Sequence, residues 1–513
     1  MLLGSGNSSL NKIIETPKKG LLASTVQGSK AMVVAKICEM VMGFASMVVL
    51  ARLLMPVDYG IFGLANIVVG FFLILSKWGI QQAVVQSRDE ISLQALRALN
   101  SIAWLVALSS IFFIWILATH LQAFFEVEQL GQALLALSSL LILGTLELLP
   151  RAMFMRAHRF NYLALCGVVS STAGILVSIS LAFIGLNYWA LVLGSISATF
   201  VGSMMVVVKY PAVVMPSLKI HHAKNVLRRS SLFNFIQLFN FFNLHLIEVV
   251  IAGALGASEL GIFNRTMKLI SYPLNLFAAV RPVLFSTFSR IQEEDQRARS
   301  GFYKVQSVVS LFGALSAGWL VLNGNLLVSV VLGPRWSAVG ELIEVVAVII
   351  IVRLFGRVAG TLLSSKANFR AGVYSQLLLL LSTLTLLAMA FYYDQVNLVV
   401  VAKIAIVVAL INTVFLTTYV CVVSQISIVN LSESSLYGLR ALLIIIVAWG
   451  LGVLAADWYA VSTFVELAIH ILFPPIGMMF VFLLKPDWVL PDFKNLWLDA
   501  ILKKRADTDQ SFK

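Results

Sequence analysis

The chain has 513 residues, of which 60% are hydrophobic and only 12% charged, with mean hydropathy +0.94 and formal net charge +13. Soluble domains carry about 25% charged residues, so a water-soluble fold is excluded and the chain reads as an all-α, polytopic membrane protein. In such a protein the cationic excess is first a matter of topology, not of nucleic-acid binding.

Residues 1–30 come first. Lys18 and Lys19 precede only the short apolar run LLASTV, which is not the core of a cleaved signal peptide, so this stretch is expected to be a cytoplasmic N-terminal segment. Fourteen apolar segments follow, near 31–51, 59–80, 100–121, 130–150, 162–185, 188–208, 231–254, 261–288, 302–323, 341–363, 372–393, 398–422, 438–456 and 463–484. A helix of about twenty residues, rising about 1.5 Å per residue, crosses the roughly 30 Å of hydrocarbon. Gly185, Leu186 and Asn187 alone divide the fifth and sixth segments, which predicts a tight hairpin. Pro273 and Pro282 fall inside the eighth, where they are expected to kink it. The longest irregular outer loop is expected at Asn323–Gly340, too short for a catalytic domain. The tail PDFKNLWLDAILKKR mixes apolar and basic residues, and a surface-lying helix and a solvated tail both fit it.

Lys and Arg fix the orientation. With the N-terminus inside, 28 of the 37 fall on inner segments and only Arg52, Arg265 and Arg335 on outer turns, so both termini are expected in the cytoplasm. The stretch VVLARLLMPVDYGIF, Val48–Phe62, returns 201 positions later as VVIAGALGASELGIF, Val249–Phe263, with seven of fifteen positions identical. In each copy a helix is expected to end, an acidic turn with Asp58 or Glu259 to follow, and a glycine to open the next helix. Those acids fit a capping role and a solvated turn equally well. Six segments separate the copies, so both face outward, and the halves are parallel repeats about an axis along the membrane normal. The expected organisation is a six-helix bundle at 31–209, a cytoplasmic loop at 210–230, a second bundle at 231–423, two further helices at 424–485 and a cytoplasmic tail at 486–513.

No P-loop, HExxH or GxSxG motif is present. Cys38, Cys166 and Cys421 lie in apolar segments without metal or redox spacing, and the histidines are scattered, the only adjacent pair being His221 and His222. No metal site and no cofactor is expected. The informative residues are charges inside segments, each costing about 2.5–3.5 kcal/mol at mid-bilayer unless it faces a cavity or a partner. Arg353 lies mid-segment, and Arg357, four residues on, shares its face. Gly356 and Gly360 beside them allow close approach. Arg281 adjoins Pro282, and Lys268 shares a face with Arg265, Tyr272 and Asn275. Asn234, Gln237, His245 and Glu248 form a polar stripe on the seventh segment, and Lys36 and Glu39 stand three apart on the first. The expected anion site is Arg281, Arg353, Arg357, Lys268 and Lys36. The polar cavity wall is Asn234, Gln237, His245, Glu248 and Glu39. Plainer alternatives stand beside these: Lys36 and Lys403 snorkelling to the interface, Lys36 and Glu39 neutralising each other, the amides bonding a neighbouring helix, His245 bonded in the core, and Glu147 and Glu466 structural. Surplus arginine favours a phosphate or another acidic group, because the guanidinium fork bonds two oxygens at once.

The stretches VLARLLMPVDYGIFGLANIVVGFF, LSKWGIQQAVVQ (Leu75–Gln86), LGASELGIFNRTMKL (Leu255–Leu269) and LGPRW (Leu332–Trp336) together resemble Wzx-type polysaccharide flippases of the multidrug/oligosaccharidyl-lipid/polysaccharide exporter superfamily. The nearest look is to the branch handling exopolysaccharide, colanic-acid-like or lipopolysaccharide repeat units. That resemblance implies a V-shaped transporter of two bundles in the bacterial inner membrane. It implies translocation of undecaprenyl-pyrophosphate-linked oligosaccharide by alternating access, with the bilayer and other glycan-assembly membrane proteins as partners and no nucleic acid. The arginine assignments do not come from the resemblance. The rivals are a drug or cation antiporter of the same superfamily, which would want free acids such as Glu39 or Glu248; a membrane glycan polymerase or ligase, which would want a large outer loop; and a structural subunit of a glycan-assembly complex.

Overall fold

The computed structural model describes residues 21–87, 91–217, 224–291 and 294–459. The fourteenth expected segment, the tail, His221, His222 and Glu466 lie outside the described residues. Among those residues every regular element is helical. The order is α1 (Leu21–Leu53), α2 (Pro56–Lys77), α3 (Ile80–Gln86), α4 (Leu93–Phe124), α5 (Leu130–Leu137), α6 (Ser139–Arg156), α7 (Phe160–Phe183), α8 (Tyr188–Val207) and α9 (Pro211–Val214). Then come α10 (Lys224–Leu255), α11 (Ala257–Arg290), α12 (Asp295–Val331), a 3₁₀ turn (Pro334–Trp336), α13 (Ser337–Val346), α14 (Ile349–Ser365), α15 (Phe369–Tyr392), α16 (Leu398–Ser424) and α17 (Ile428–Tyr459).

Twelve stretches of described helix are long and apolar enough to cross a membrane. The tenth expected segment is absent from these twelve because it is broken at Ala347–Val348 into α13 and α14. The fourth is interrupted in the same manner at Ser138, six segments earlier. There, Ser138 and Ser139 donate their hydroxyls to the carbonyls of Leu135 (2.6 Å) and Ala136 (2.7 Å), drawing those groups towards side chains.

Two expectations change. The acids do not sit in a turn between the two helices of each copy. Pro56 opens α2, because its missing N–H costs nothing in the first turn, and Asp58 lies inside that turn with its carboxylate accepting the Met55 N–H at 2.8 Å. Asp58 is buried and also accepts the backbone N–H of Tyr188, so of the two readings it is the cap. The turn before α11 is Gly256, at φ +91°, and Glu259 already belongs to the helix. The irregular loop expected at Asn323–Gly340 is mostly helix as well: α12 runs on to Val331, and Asn325 is held by Glu344, which accepts from its side-chain amide at 2.7 Å. The hairpin between α7 and α8 is as tight as expected, with Gly185 at φ +84° and Asn187 at +42°.

The chain divides into two compact units, Met1–Asn264 and Arg265–Lys513. In the first, α7 packs along α8, where Gly174 and Gly194 let the backbones close, and α1 lies on α7. A core of Ile80, Leu99, Leu149, Phe154, Cys166, Tyr210 and Val213 joins α3, α4, α6 and α7 to the segment after α8. That segment is pinned by Arg97 Nε donating to the Ala212 carbonyl (2.9 Å), Asn100 donating to the Val214 carbonyl, and Ser101 exchanging bonds with Ser217. Burial pushes the Tyr210 phenol above the ordinary tyrosine range, with Arg159 pulling it back. In the second unit α12 runs along α17, and α14 packs between α12 and α16. Cys38 is exposed, unlike the packing residue expected there, whereas Cys166 and Cys421 are buried; all three are free thiols.

Candidate functional site

The second unit builds its site from α14 and α11. Ile349, Ile350, Leu354, Val358, Ala359 and Leu362 are fully buried, which fixes the apolar face of α14. A Cβ on Gly313 of α12 would touch Leu354 and Ile351, so one side of α14 meets α12. Gly356 meets Thr413 of α16, whose hydroxyl donates to the Val352 carbonyl at 2.8 Å. With two sides taken, the face carrying Arg353 and Arg357 remains. Arg353 is exposed. Arg357 is half-buried and donates from one Nη to the carbonyl of Leu274 in α11, at 2.8 Å. Arg281, two turns along α11 from Leu274, is exposed, and its charge is felt at Arg357, as that of Arg357 is felt at Arg353. Sequence placed these three guanidinium groups on two segments some seventy residues apart, and the fold brings Arg357 within electrostatic reach of each of the other two. Among the described residues none of the three forms an ion pair. Like charges held near one another repel, and an anion between them would relieve that repulsion. Arg357, held by one arm, keeps further N–H groups for it.

The other expected residues are placed differently. Lys268 is exposed on α11 in the second unit. Lys36, Glu39, Gln237, His245 and Glu248 belong to the first. Lys36 is spent on Glu39 at 3.2 Å, as the plainer alternative held, and the Glu39 carboxylate lies against Gly167 of α7. His245 and Glu248 pair with each other at 2.6 Å, beneath Phe241. Gln237 is half-buried, and the side chain of Asn234 lies outside the described residues.

One cluster escaped the sequence reading. Glu147 of α6 is buried, with Lys77 of α2 at 3.8 Å and Arg151 at 3.7 Å from its Oε1. By sequence, Lys77 is one of the cations on inner segments and Glu147 fits a structural residue. The spacing of Glu147 and Arg151 at i, i+4 was the only local signal, because Lys77 stands seventy residues away.

Comparison with known proteins agrees with this architecture. The family model described as "Polysaccharide biosynthesis protein" matches residues 49–341. The chain is similar to the lipopolysaccharide biosynthesis protein WzxC of Escherichia coli strain K12, 23% identical over 357 residues, covering 68% of this chain and 71% of that protein. It is similar to the succinoglycan biosynthesis transport protein ExoT of Rhizobium meliloti strain 1021, 23% identical over 305 residues, 57% of this chain and 60% of that one. In fold it resembles the lipid II flippase MurJ in an inward closed conformation, with TM-score 0.69 at 13% identity, covering 88% and 98% of the two chains. An inward-facing MATE transporter of the same superfamily matches at TM-score 0.57 and 11% identity, covering 79% and 99%. The chain belongs to the polysaccharide biosynthesis protein family, and the likeness to Wzx-type flippases of the multidrug/oligosaccharidyl-lipid/polysaccharide exporter superfamily read from its motifs holds.

Proposed function

We propose that the chain translocates lipid-linked oligosaccharide across the bacterial inner membrane by alternating access, its substrate a repeat unit carried on undecaprenyl pyrophosphate. The observation that carries the reading is the group Arg281, Arg353 and Arg357, which has no carboxylate partner among the described residues and stands ready for a diphosphate. The names of WzxC and ExoT support a role in building or moving a bacterial polysaccharide, and the MurJ-like fold suits a carrier of a lipid-borne headgroup. The physical task is to pass a doubly charged group and a polar glycan through hydrocarbon while the polyprenyl tail stays in lipid. Cations along the path lower that barrier for an anion. They would raise it for the cationic drugs of an antiporter, and Glu39 and Glu248, the acids such a rival needs, are both paired. Both bundles, 31–209 and 231–423, would contribute to the path, with the termini in the cytoplasm.

The test is deletion of the gene followed by analysis of lipid-linked intermediates. Finished repeat units should accumulate on the cytoplasmic leaflet, and complementation with the wild-type chain should clear them. Normal export without accumulation would refute the proposal.

A further inference from the structure

The first unit holds a cavity that the arginine group leaves unexplained. It lies where α4 ends and α5 begins and has a volume of about 310 Å³. Thr119, Gln122, Ala123, Glu126, Val127 and Glu128 line it. Clefts for small molecules begin at about 300 Å³, so the space suits a small polar group and not a whole lipid-linked chain.

The end of α4 builds the cavity. The Phe125 N–H donates to the Leu121 carbonyl at 3.0 Å, and Glu126 then takes the left-handed conformation at φ +55°. The Val127 N–H returns to the Gln122 carbonyl at 3.2 Å, the closure that ends many helices with glycine at the left-handed position. Phe125 and Val127 are buried and anchor the turn, and Glu126 and Glu128, alternating with them, are exposed. Gln122 is half-buried and lies across the first turn of α5, where a Cβ on Gly131 would stand 2.6 Å from its Oε1. The side chains of Thr119, Gln122, Glu126 and Glu128 have no hydrogen bond or ion pair with another described residue.

That lining selects among ligands. Two carboxylates accept hydrogen bonds, while the amide and the hydroxyl both donate and accept. Ala123 and Val127 add a small apolar surface. Two negative charges turn a diphosphate away. A hard divalent cation takes six or more oxygen ligands, and no group of three His, Cys, Asp or Glu able to hold a metal occurs among the described residues. A sugar matches the lining: each hydroxyl is both donor and acceptor, its bonds to carboxylates are of the strong charge-assisted kind, and its ring C–H groups suit the apolar part.

We infer that this cavity is a saccharide subsite, which takes an uncharged sugar unit of the glycan at the outer end of the path. The inference rests on the transport reading above and on outward placement of the connection between the third and fourth segments. It adds a substrate preference. The sugar seated here carries no acid group, because a uronate would meet Glu126 and Glu128. The two ends of the substrate then have separate sites, arginines for the diphosphate and glutamates for the glycan.

The test is saturation-transfer NMR on the full chain in nanodiscs free of glycosidic detergent. The ligands are cellobiose, lactose, diacetylchitobiose and glucuronic acid. At least one of the three neutral disaccharides should bind, and glucuronic acid at neutral pH should not. Glu126→Gln combined with Glu128→Gln should weaken disaccharide binding about tenfold or more and admit glucuronic acid. Gly131→Ala should weaken it too, by pushing the Gln122 amide aside while every lining group stays. Farnesyl pyrophosphate should bind these variants as it binds the wild type. No signal from any disaccharide, glucuronic acid bound equally well by the wild type, or disaccharide binding unchanged in the variants would overturn the inference. Displacement of the disaccharide by Mg²⁺ would overturn it in favour of a cation site. Binding is read without translocation, so a failure of the flippase reading (no accumulation of lipid-linked units on deletion) is distinguishable from a failure of the subsite.

Discussion

Arg353 and Arg357 sit one turn apart on α14 but differ in what they hold, and that difference is a sharp handle on the site. Arg353 makes no hydrogen bond to protein among the described residues, whereas Arg357 spends one Nη on the Leu274 carbonyl. Arg353→Ala should therefore weaken anion binding and leave stability alone. Hydrogen bonds to charged groups contribute about 1.5–3 kcal/mol, so loss of the guanidinium should weaken diphosphate binding about 10- to 100-fold, at roughly 1.4 kcal/mol per factor of ten. Arg353→Lys keeps the charge but not the fork and should fall between. Arg357→Ala should lose comparable affinity and also the tie between α14 and α11, about 1 kcal/mol after allowing for its partial exposure. The assay is titration calorimetry of detergent-purified protein with farnesyl pyrophosphate, farnesol as the uncharged control, and thermal unfolding in parallel. Equal affinity of wild type and Arg353→Ala for the pyrophosphate, or equal binding of farnesol, would refute the reasoning. Loss of stability in Arg353→Ala matching that in Arg357→Ala would refute the division of labour.

Further expectations concern the scaffold and the topology. Gly356→Leu should lower the unfolding temperature by forcing α16 off α14 at Thr413, with about 1–3 kcal/mol lost to overpacking. Asp58→Ala should lower it by removing a buried helix cap, worth about 1 kcal/mol, and unchanged melting would show the cap to be idle. Glu147→Gln leaves Lys77 and Arg151 facing each other without a counter-charge; a loss of about 1–2 kcal/mol is expected, discounted from the value for a fully buried pair because both cations reach solvent, and a double-mutant cycle with Lys77→Met should show coupling. A cysteine at exposed Tyr393 should react with impermeant maleimide in intact spheroplasts, and one at exposed Arg370 only after lysis.

Much of the helical fold was legible because lipid as solvent leaves few choices: an apolar run of twenty residues must close its own hydrogen bonds. What sequence misjudged were places where one chain segment answers another. For Asp58 a cap and a turn acid stayed open, because the Tyr188 N–H that helps decide it lies 130 residues away. The loop expected at Asn323–Gly340 carries the polar residues of a turn, yet Asn325 is satisfied by Glu344 and α12 continues past it to Val331. The break in the tenth segment had no proline or glycine pair to announce it. For the site, the shared face of Arg353 and Arg357 followed from a helical period, but the approach of Arg281 did not. For Lys36 the spacing to Glu39 had already offered an ion pair as the plainer reading, and the two stand 3.2 Å apart.

The sign of the site is the strongest discriminator among the functions open to this fold. A single charged residue at mid-bilayer depth costs about 2.5–3.5 kcal/mol on insertion scales, so three arginines, with Arg357 in electrostatic reach of each of the other two, carry a substantial penalty even before their repulsion. A stable structure ordinarily offsets such charges with carboxylates. The first unit does so, joining Lys36 to Glu39 and setting Glu147 between Lys77 and Arg151. The second unit leaves its three without acids among the described residues. If the charges served only packing, substitution of all three by methionine of similar volume should stabilise the protein by removing their mutual repulsion and, within an apolar segment, their insertion cost. If they await an anion, the same triple variant should be more stable when empty, gain nothing from pyrophosphate, and fail to export. Greater stability together with lost export is the combination a transport site requires, because a structural role predicts the first without the second.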